Sequence, residues 1–315
     1  MKYLRGLIII IIVSFIVIGF KNPVTVYAES KENYIGYFRA WRDKTSNPSI
    51  NKNKISELPK EVDIAVVFPN GEESANFWND LPKQIEILHK NETKVIRNFP
   101  IRALYSQYFK DPIEAKHLHP FDNNTSGYEK RAKEICNYYL DLESYDGLVV
   151  NAEESLSGEM LQRAAGVINE LSKAIGKKSN TGKMFVYDTN LPGTDSLFYQ
   201  THKVYNYVFS DAYGRSLSSL DSEWETFREL IEPEQFVIGF SFYEEYGTAW
   251  KDTEEPFNTS RAYQFAKWEP KNVGGKHKGG IFGYAVDRDG VITGDDKIKC
   301  TDFSWSIRLS NEIKK

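Results

Sequence analysis

Chemistry is densest where an apolar run ends in Tyr145-Asp146-Gly147-Leu148-Val149-Val150-Asn151-Ala152-Glu153-Glu154. Side chains of an extended strand alternate, so Val149, Asn151 and Glu153 share one face. A carboxyl at the end of a strand, with an amide one pleat deeper, can act as a proton donor beside a substrate-positioning group. The same pair can also be a polar strand end satisfied by loop hydrogen bonds, and periodicity alone leaves both readings open. Other apolar runs end in comparable groups. Asp211 and Tyr213 fall on a common face of Ser210-Asp211-Ala212-Tyr213, Tyr187-Asp188 closes another run, and Arg39 and Trp41 follow Tyr37. Two more runs end in Tyr243-Glu244-Glu245 and Tyr284-Ala285-Val286-Asp287-Arg288-Asp289. Glu244, Glu245, Asp287 and Arg288 can equally build a salt-bridge network around a loop.

The elements that must position these groups follow a strand-then-helix rhythm. Short runs rich in β-branched and aromatic residues, bounded by polar turns, predict strands over 34–41, 62–69, 94–101, 147–153, 184–189, 205–213, 236–243 and 280–287. Helical periodicity lies between most of them, over 77–89, 129–142, 159–175, 223–231 and 261–268, and 302–313 reads as a closing helix. Eight such alternations in one domain predict an α/β fold, a (β/α)₈ TIM barrel. The first strand runs into Trp41-Arg42-Asp43-Lys44 without a glycine-rich phosphate turn, which disfavours a nucleotide fold. Longer loops are expected over 70–75 and 105–127. In a barrel of this kind the chemistry lies at the carboxyl ends of the strands.

Lys2 and Arg5 precede an apolar run over 7–20, and Val26-Tyr27-Ala28 offers small residues where a signal peptidase reads. The expectation is a signal peptide over 1–28, a single barrel domain over 29–315 and export to the extracellular space. The run is short for a membrane span, so no membrane association is expected after cleavage; retention as an N-terminal anchor is the alternative. A net charge of −4 gives no argument for nucleic acid. Aromatic residues make up 14% of the chain, which suits a sugar binder because ring faces stack on pyranose C–H faces, but the same rings can fill a core. Cys136 and Cys300 are the only cysteines; they can pair in an oxidising compartment, and neither sits at metal-ligand spacing. No metal or organic cofactor is implied, and a monomer is expected.

The strings Ile35-Gly36-Tyr37-Phe38-Arg39-Ala40-Trp41-Arg42-Asp43-Lys44-Thr45, Glu57-Leu58-Pro59-Lys60-Glu61-Val62-Asp63, Val95-Ile96-Arg97 and Ile238-Gly239-Phe240-Ser241-Phe242-Tyr243-Glu244-Glu245 are long and uncommon. Together with Lys278-Gly279-Gly280-Ile281-Phe282 and Tyr284-Ala285-Val286-Asp287-Arg288-Asp289-Gly290, they make the chain resemble the endo-β-N-acetylglucosaminidases of glycoside hydrolase family 18. Among these it is most similar to the streptococcal enzymes that act on immunoglobulin G. The resemblance spans nearly the whole expected mature chain and implies a hydrolase of glycoprotein N-glycans, with immunoglobulin as a candidate carrier. It also implies a family motif D-G-x-D-x-D-x-E on the fourth strand, and here the sequence departs. Asp146, Gly147 and Glu153 match, while Val149 and Asn151 stand at the two inner Asp positions.

By resemblance, the substrate's own N-acetyl group is the nucleophile, Glu153 is acid and then base, and the group at 151 holds the acetamido N–H. Tyr213 matches a Tyr that orients the same group. The substrate groove would draw on Asp146, Asp211, Tyr37, Trp41, Tyr243, Glu244, Tyr284 and Asp287. Asn151 can accept the N–H but supplies no negative charge, and losing one such transition-state partner typically costs about 2.7–4 kcal/mol, or ~10²–10³ in rate. Three readings follow: a working enzyme that cleaves the chitobiose core, a glycan-binding pseudoenzyme, and a chitinase-like hydrolase.

Overall fold

The computed structural model describes residues 32–110, 117–141 and 143–315. The expected signal peptide therefore lies outside the described residues, as do residue 142 of the predicted helix 129–142 and residues 111–116 of the predicted loop 105–127. Eight strands form a closed parallel barrel: β1 (Asn33–Arg39), β2 (Ile64–Phe68), β3 (Lys94–Pro100), β4 (Gly147–Asn151), β5 (Met184–Thr189), β6 (Tyr207–Asp211), β7 (Phe236–Ser241) and β8 (Gly280–Tyr284). Each strand pairs with its sequence neighbours, and β1 closes the ring against β8. This is the (β/α)₈ barrel the alternation predicts.

The strands are apolar on both faces because each face is buried against something different. Ile35, Tyr37, Ile64, Val66, Ile96, Val149, Val186, Phe209, Val237 and Phe282 fill the barrel interior. Their strand neighbours, among them Phe38, Val67, Leu148, Val150, Tyr187 and Phe240, pack outward under the helices. Burial of one such side chain contributes roughly 1.5–3 kcal/mol, so the two layers together fix the register of every strand.

The outer ring comprises α1 (Ala75–Lys90), α2 (Arg102–Tyr105), α3 (Thr125–Tyr139), α4 (Gly158–Leu171), α5 (Ser196–Thr201), α6 (Leu217–Phe227), α7 (Arg261–Lys267) and α8 (Ser304–Ile313). The β1–β2 connection carries only 3₁₀ turns, Ala40–Arg42 and Ile55–Glu57. The β3–α3 connection contains α2 and a small hairpin pairing Phe109–Lys110 with His117–Leu118. Helix α6 begins six residues before the predicted 223, because Ser216 accepts from the Ser219 N–H and caps it. Serine competes with helical backbone inside a helix but suits its N-cap, so the run Ser216-Leu217-Ser218-Ser219 hid this start. At the start of α8 the N-cap residue Phe303 offers no side-chain acceptor; Asp302 accepts from the Ser304 N–H at 3.0 Å, and Asp289, from a distance, accepts from those of Trp305 and Ser306 at 3.0 and 2.7 Å.

Five strands also end two or three residues earlier than predicted. The chain leaves the sheet at Arg39 rather than Trp41, at Asn151 rather than Glu153, at Asp211 rather than Tyr213, at Ser241 rather than Tyr243 and at Tyr284 rather than Asp287. The polar residues beyond these ends thus sit on loops around the barrel's carboxyl-terminal mouth.

Candidate active site

Glu153 stands two residues past the end of β4 and is exposed at the mouth. Asn151, the last residue of β4, is half-buried and lies in register with Asp188 on β5. Val149 is completely buried and packs in the interior cluster beneath them.

Below Glu153 the floor is aromatic and acidic. Tyr37 is buried in the interior with Phe68, Phe209, Phe282 and Tyr284 around its ring, 5.0–6.5 Å away. Its hydroxyl donates to Asp188 Oδ2 at 2.8 Å. Asp188 and Asp211, 4% and 7% exposed, come from adjacent strands. Burial raises the pKa of Asp188 to about 7, the charge of Glu153 adding to it while hydrogen bonds from Tyr37 and Asp211 oppose it. Burial likewise pushes Asp211 well above the usual carboxylate range, reinforced by the charges of Asp188 and Glu153. Three carboxyls therefore meet here, from β4, β5 and β6. Burial, with the same two aspartates, also holds the Tyr213 hydroxyl firmly protonated, so it can donate.

Tyr213 follows β6 and carries the wall upward, with its ring 6.0 Å from both Trp250 and Tyr284. Gly214 makes the close approach possible: its φ is 71°, and a Cβ there would come within 2.9 Å of the Trp250 ring. Asp252, almost fully buried, fastens this arrangement. It accepts from the N–H groups of Ser241 (3.0 Å) and Gly214 (3.1 Å) and pairs with Arg261 at 2.5 Å. Neither Trp250 nor Asp252 stands out in the sequence, because each lies in a polar loop with no periodicity to mark it.

The opposite side of the mouth is a charge cluster. Arg39, fully buried at the end of β1, contacts Glu244 at 2.9 Å, Glu245 at 2.8 Å and Asp287 at 2.7 Å. Burial works against its charge, but these carboxylates outweigh it and hold the guanidinium protonated. Arg42 and Arg288 add ion pairs to Glu245. The salt-bridge network considered from the sequence is thus present, centred on Arg39. Trp41 packs near it, its ring 5.5 Å from the Arg39 guanidinium carbon and 6.1 Å from Phe68.

Not every predicted residue reaches the mouth. Asp146 precedes β4 at the amino-terminal end of the barrel, where it accepts from the Val95 N–H at 2.7 Å and pairs with His89 at 2.9 Å. Its place explains a structural use, since it ties β4 to β3. Tyr243, two residues past the end of β7, donates to Asp296 of the loop that follows β8 at 2.8 Å. Cys136 and Cys300 are both free thiols. Glu32, Glu269 and His277 also gather at the amino-terminal end, within reach of a common cation. The buried ammonium of Lys278 already fills that role, at 2.7 Å from Glu32 and 3.0 Å from Glu269.

A closed parallel barrel with convergent carboxyls, a protonated tyrosine and clustered aromatic rings at its carboxyl-terminal end has the design of a barrel enzyme. Residues 36–283 match the family model described as the endo-beta-N-acetylglucosaminidase EndoS TIM-barrel domain. Endo-beta-N-acetylglucosaminidase F2 of Elizabethkingia meningoseptica is 37% identical over 303 residues, covering 90% of this chain and 85% of that protein. Endo-beta-N-acetylglucosaminidase EndoS of Streptococcus pyogenes serotype M1 is 33% identical, over 82% of this chain but only 30% of the longer relative. Among solved structures, an endo-beta-N-acetylglucosaminidase from Cordyceps militaris in apo form superposes with a TM-score of 0.82 at 40% identity, covering 90% of this chain and 92% of the other. The chain belongs to the endo-β-N-acetylglucosaminidase family of glycoside hydrolases.

Proposed function

We propose that this protein is an exported enzyme that hydrolyses the chitobiose core of glycoprotein N-glycans by substrate-assisted catalysis, as family 18 glycosidases do. The observation that carries the reading is Glu153, exposed at the mouth of the barrel above a buried floor of Tyr37, Asp188 and Asp211. Glu153 gives its proton to the departing glycosidic oxygen as the acetamido carbonyl oxygen closes on C1 to form an oxazolinium ion. It then takes a proton from the water that opens that ring, so it ends the cycle as it began. Asn151 accepts the acetamido N–H through its side-chain oxygen, and the Tyr213 hydroxyl donates to the same group. Trp250 and Tyr284, the aromatic walls beside Tyr213, stack on the sugar faces.

A second structure of the Cordyceps militaris enzyme supports the use of this strand. It is a variant in which an Asp and a Glu two residues apart are replaced by Asn and Gln, in complex with fucosyl-N-acetylglucosamine-Asn, and it superposes with a TM-score of 0.83. The present chain has the same spacing at Asn151 and Glu153, with Asn already in the first position. A glycan linked to asparagine is therefore the substrate to try first, immunoglobulin among its carriers. The test is release of glycan from a defined N-glycoprotein, followed by mass, with chitin oligomers in parallel. Release from chitin alone points to a chitinase-like hydrolase, and glycan binding without release by any form points to a pseudoenzyme.

A further inference from the structure

The fourth strand lacks two inner carboxyls, yet the barrel mouth does not lack them. Asp188 and Asp211 enter from β5 and β6, both nine-tenths or more buried. Asp188 stands in register with Asn151, and Val186, two residues before it, stands in register with Val149. The two carboxyls interact with each other, and Asp211 also contacts Glu153. Asp188 Oδ2 receives the Tyr37 hydroxyl, but Oδ1 is buried and has no hydrogen-bond partner among the described residues. A proton on Asp211 supplies a donor. Two ionised carboxylates in contact in a buried site repel strongly, and sharing one proton is the usual resolution.

We infer that Asp188 and Asp211 are positioning residues for Glu153, together replacing in space the two carboxyls that Val149 and Asn151 remove from β4. The inference rests on Glu153 being the acid. Before reaction the Asp211 proton bridges to the Asp188 carboxylate. When Glu153 releases its proton to the leaving oxygen it becomes a carboxylate, and the Asp211 O–H then donates to it without leaving Asp211. When Glu153 regains a proton from water, the Asp211 O–H turns back. Above the acidic limb, once Asp188 has ionised, it stays negative through the cycle, beside Asn151, where the positive charge of the oxazolinium ion forms. The ionisable groups facing the pair are Tyr37 from β1, Glu153 from the end of β4 and Tyr213 from the end of β6. An unused amide lies close by as well. Asn98 Nδ2 on β3 is buried without a hydrogen-bond partner among the described residues, in register with Val149, so an Asp at 149 would find a donor waiting.

The experiment is a pH profile of kcat and KM on one labelled glycopeptide for the wild type, Glu153→Gln, Asp188→Asn, Asp211→Asn and Tyr37→Phe, with folding checked by circular dichroism. Asp188→Asn should lower kcat ~10²-fold at the optimum with KM within about threefold, and remove the acidic limb of the profile. Asp211→Asn should cost a similar factor. Tyr37→Phe, which deletes one hydroxyl and decides the matter if the Asn variants do not fold, should move the acidic limb to higher pH. Adding Val149→Asp and Asn151→Asp to the Asp188→Asn/Asp211→Asn protein should restore about tenfold or more of the lost rate. If Glu153→Gln is inactive while the other variants keep wild-type kcat and limbs, the pair has no such role and Glu153 retains its own. Loss of rate with unmoved limbs and no gain from the added aspartates marks mere packing and overturns the inference as well. Cleavage by the Val149→Asp/Asn151→Asp form but not by the wild type also contradicts it, again leaving Glu153 as the acid.

Discussion

Tyr37 on β1 donates to Asp188 on β5 across 2.8 Å, joining strands that stand opposite each other in the closed ring. The bond spans the floor of the candidate site, so the barrel is braced where the reacting sugar would sit. It also means that the state of one buried carboxyl is set by residues from two halves of the barrel.

That carboxyl makes stability depend on pH. Asp188 is raised to about 7 by burial, so the folded protein holds a proton that the unfolded chain gives up near the ordinary Asp value. The folded state binds more protons, and stability must fall as pH rises through this window. Asp289, raised to about 6, and Glu32, raised to about 7, both by burial, act in the same sense. The melting temperature should therefore be higher at pH 5 than at pH 8, and Asp188→Asn should shrink the difference. Thermal melts of both proteins across that range check it; an unchanged slope contradicts the buried ionisation of Asp188.

The Tyr213 hydroxyl can be separated from its ring. Tyr213→Phe keeps the contacts with Trp250 and Tyr284 and removes only the donor. On the proposed mechanism kcat should fall on the order of 10²-fold, with KM little changed. Steady-state kinetics on a labelled glycopeptide distinguish this from a purely aromatic role, which predicts wild-type turnover.

Arg39 should matter to folding before it matters to sugar. Removing it leaves Glu245 and Asp287 buried with their main counter-charge gone. Breaking a buried ion pair from one side costs about 3–5 kcal/mol, and Arg39→Met should lose stability on that scale in urea. A change below about 1 kcal/mol would place the cluster among ordinary surface pairs.

The fold was legible because the barrel's two buried faces write eight near-continuous apolar runs, and those runs need no partner information to be seen. The site was legible only where a strand delivers it. Glu153, Asn151, Asp211 and Tyr213 follow from alternation at the ends of β4 and β6. Asp188 was visible as the end of a run but not as a partner of Asp211, since that contact depends on which strands are neighbours and in what register. Asp146 belongs to the motif yet lies at the opposite end of β4 from Glu153, which strand length alone places there. Trp250 and Asp252 act from a loop whose path no periodicity records, and Asp252 becomes meaningful only once Ser241 and Gly214 are seen to donate to it.

On the proposed mechanism Glu153 is the acid of a working glycosidase despite Val149 and Asn151. The most direct measurement is mass analysis of one defined N-glycoprotein after incubation with wild type, Glu153→Gln and Asn151→Asp. A product retaining a single N-acetylglucosamine on asparagine is expected with the wild type and with Asn151→Asp, and a rate lower by ~10²–10⁴ with Glu153→Gln. Undiminished cleavage by Glu153→Gln, or an intact glycoprotein with all three proteins, contradicts it.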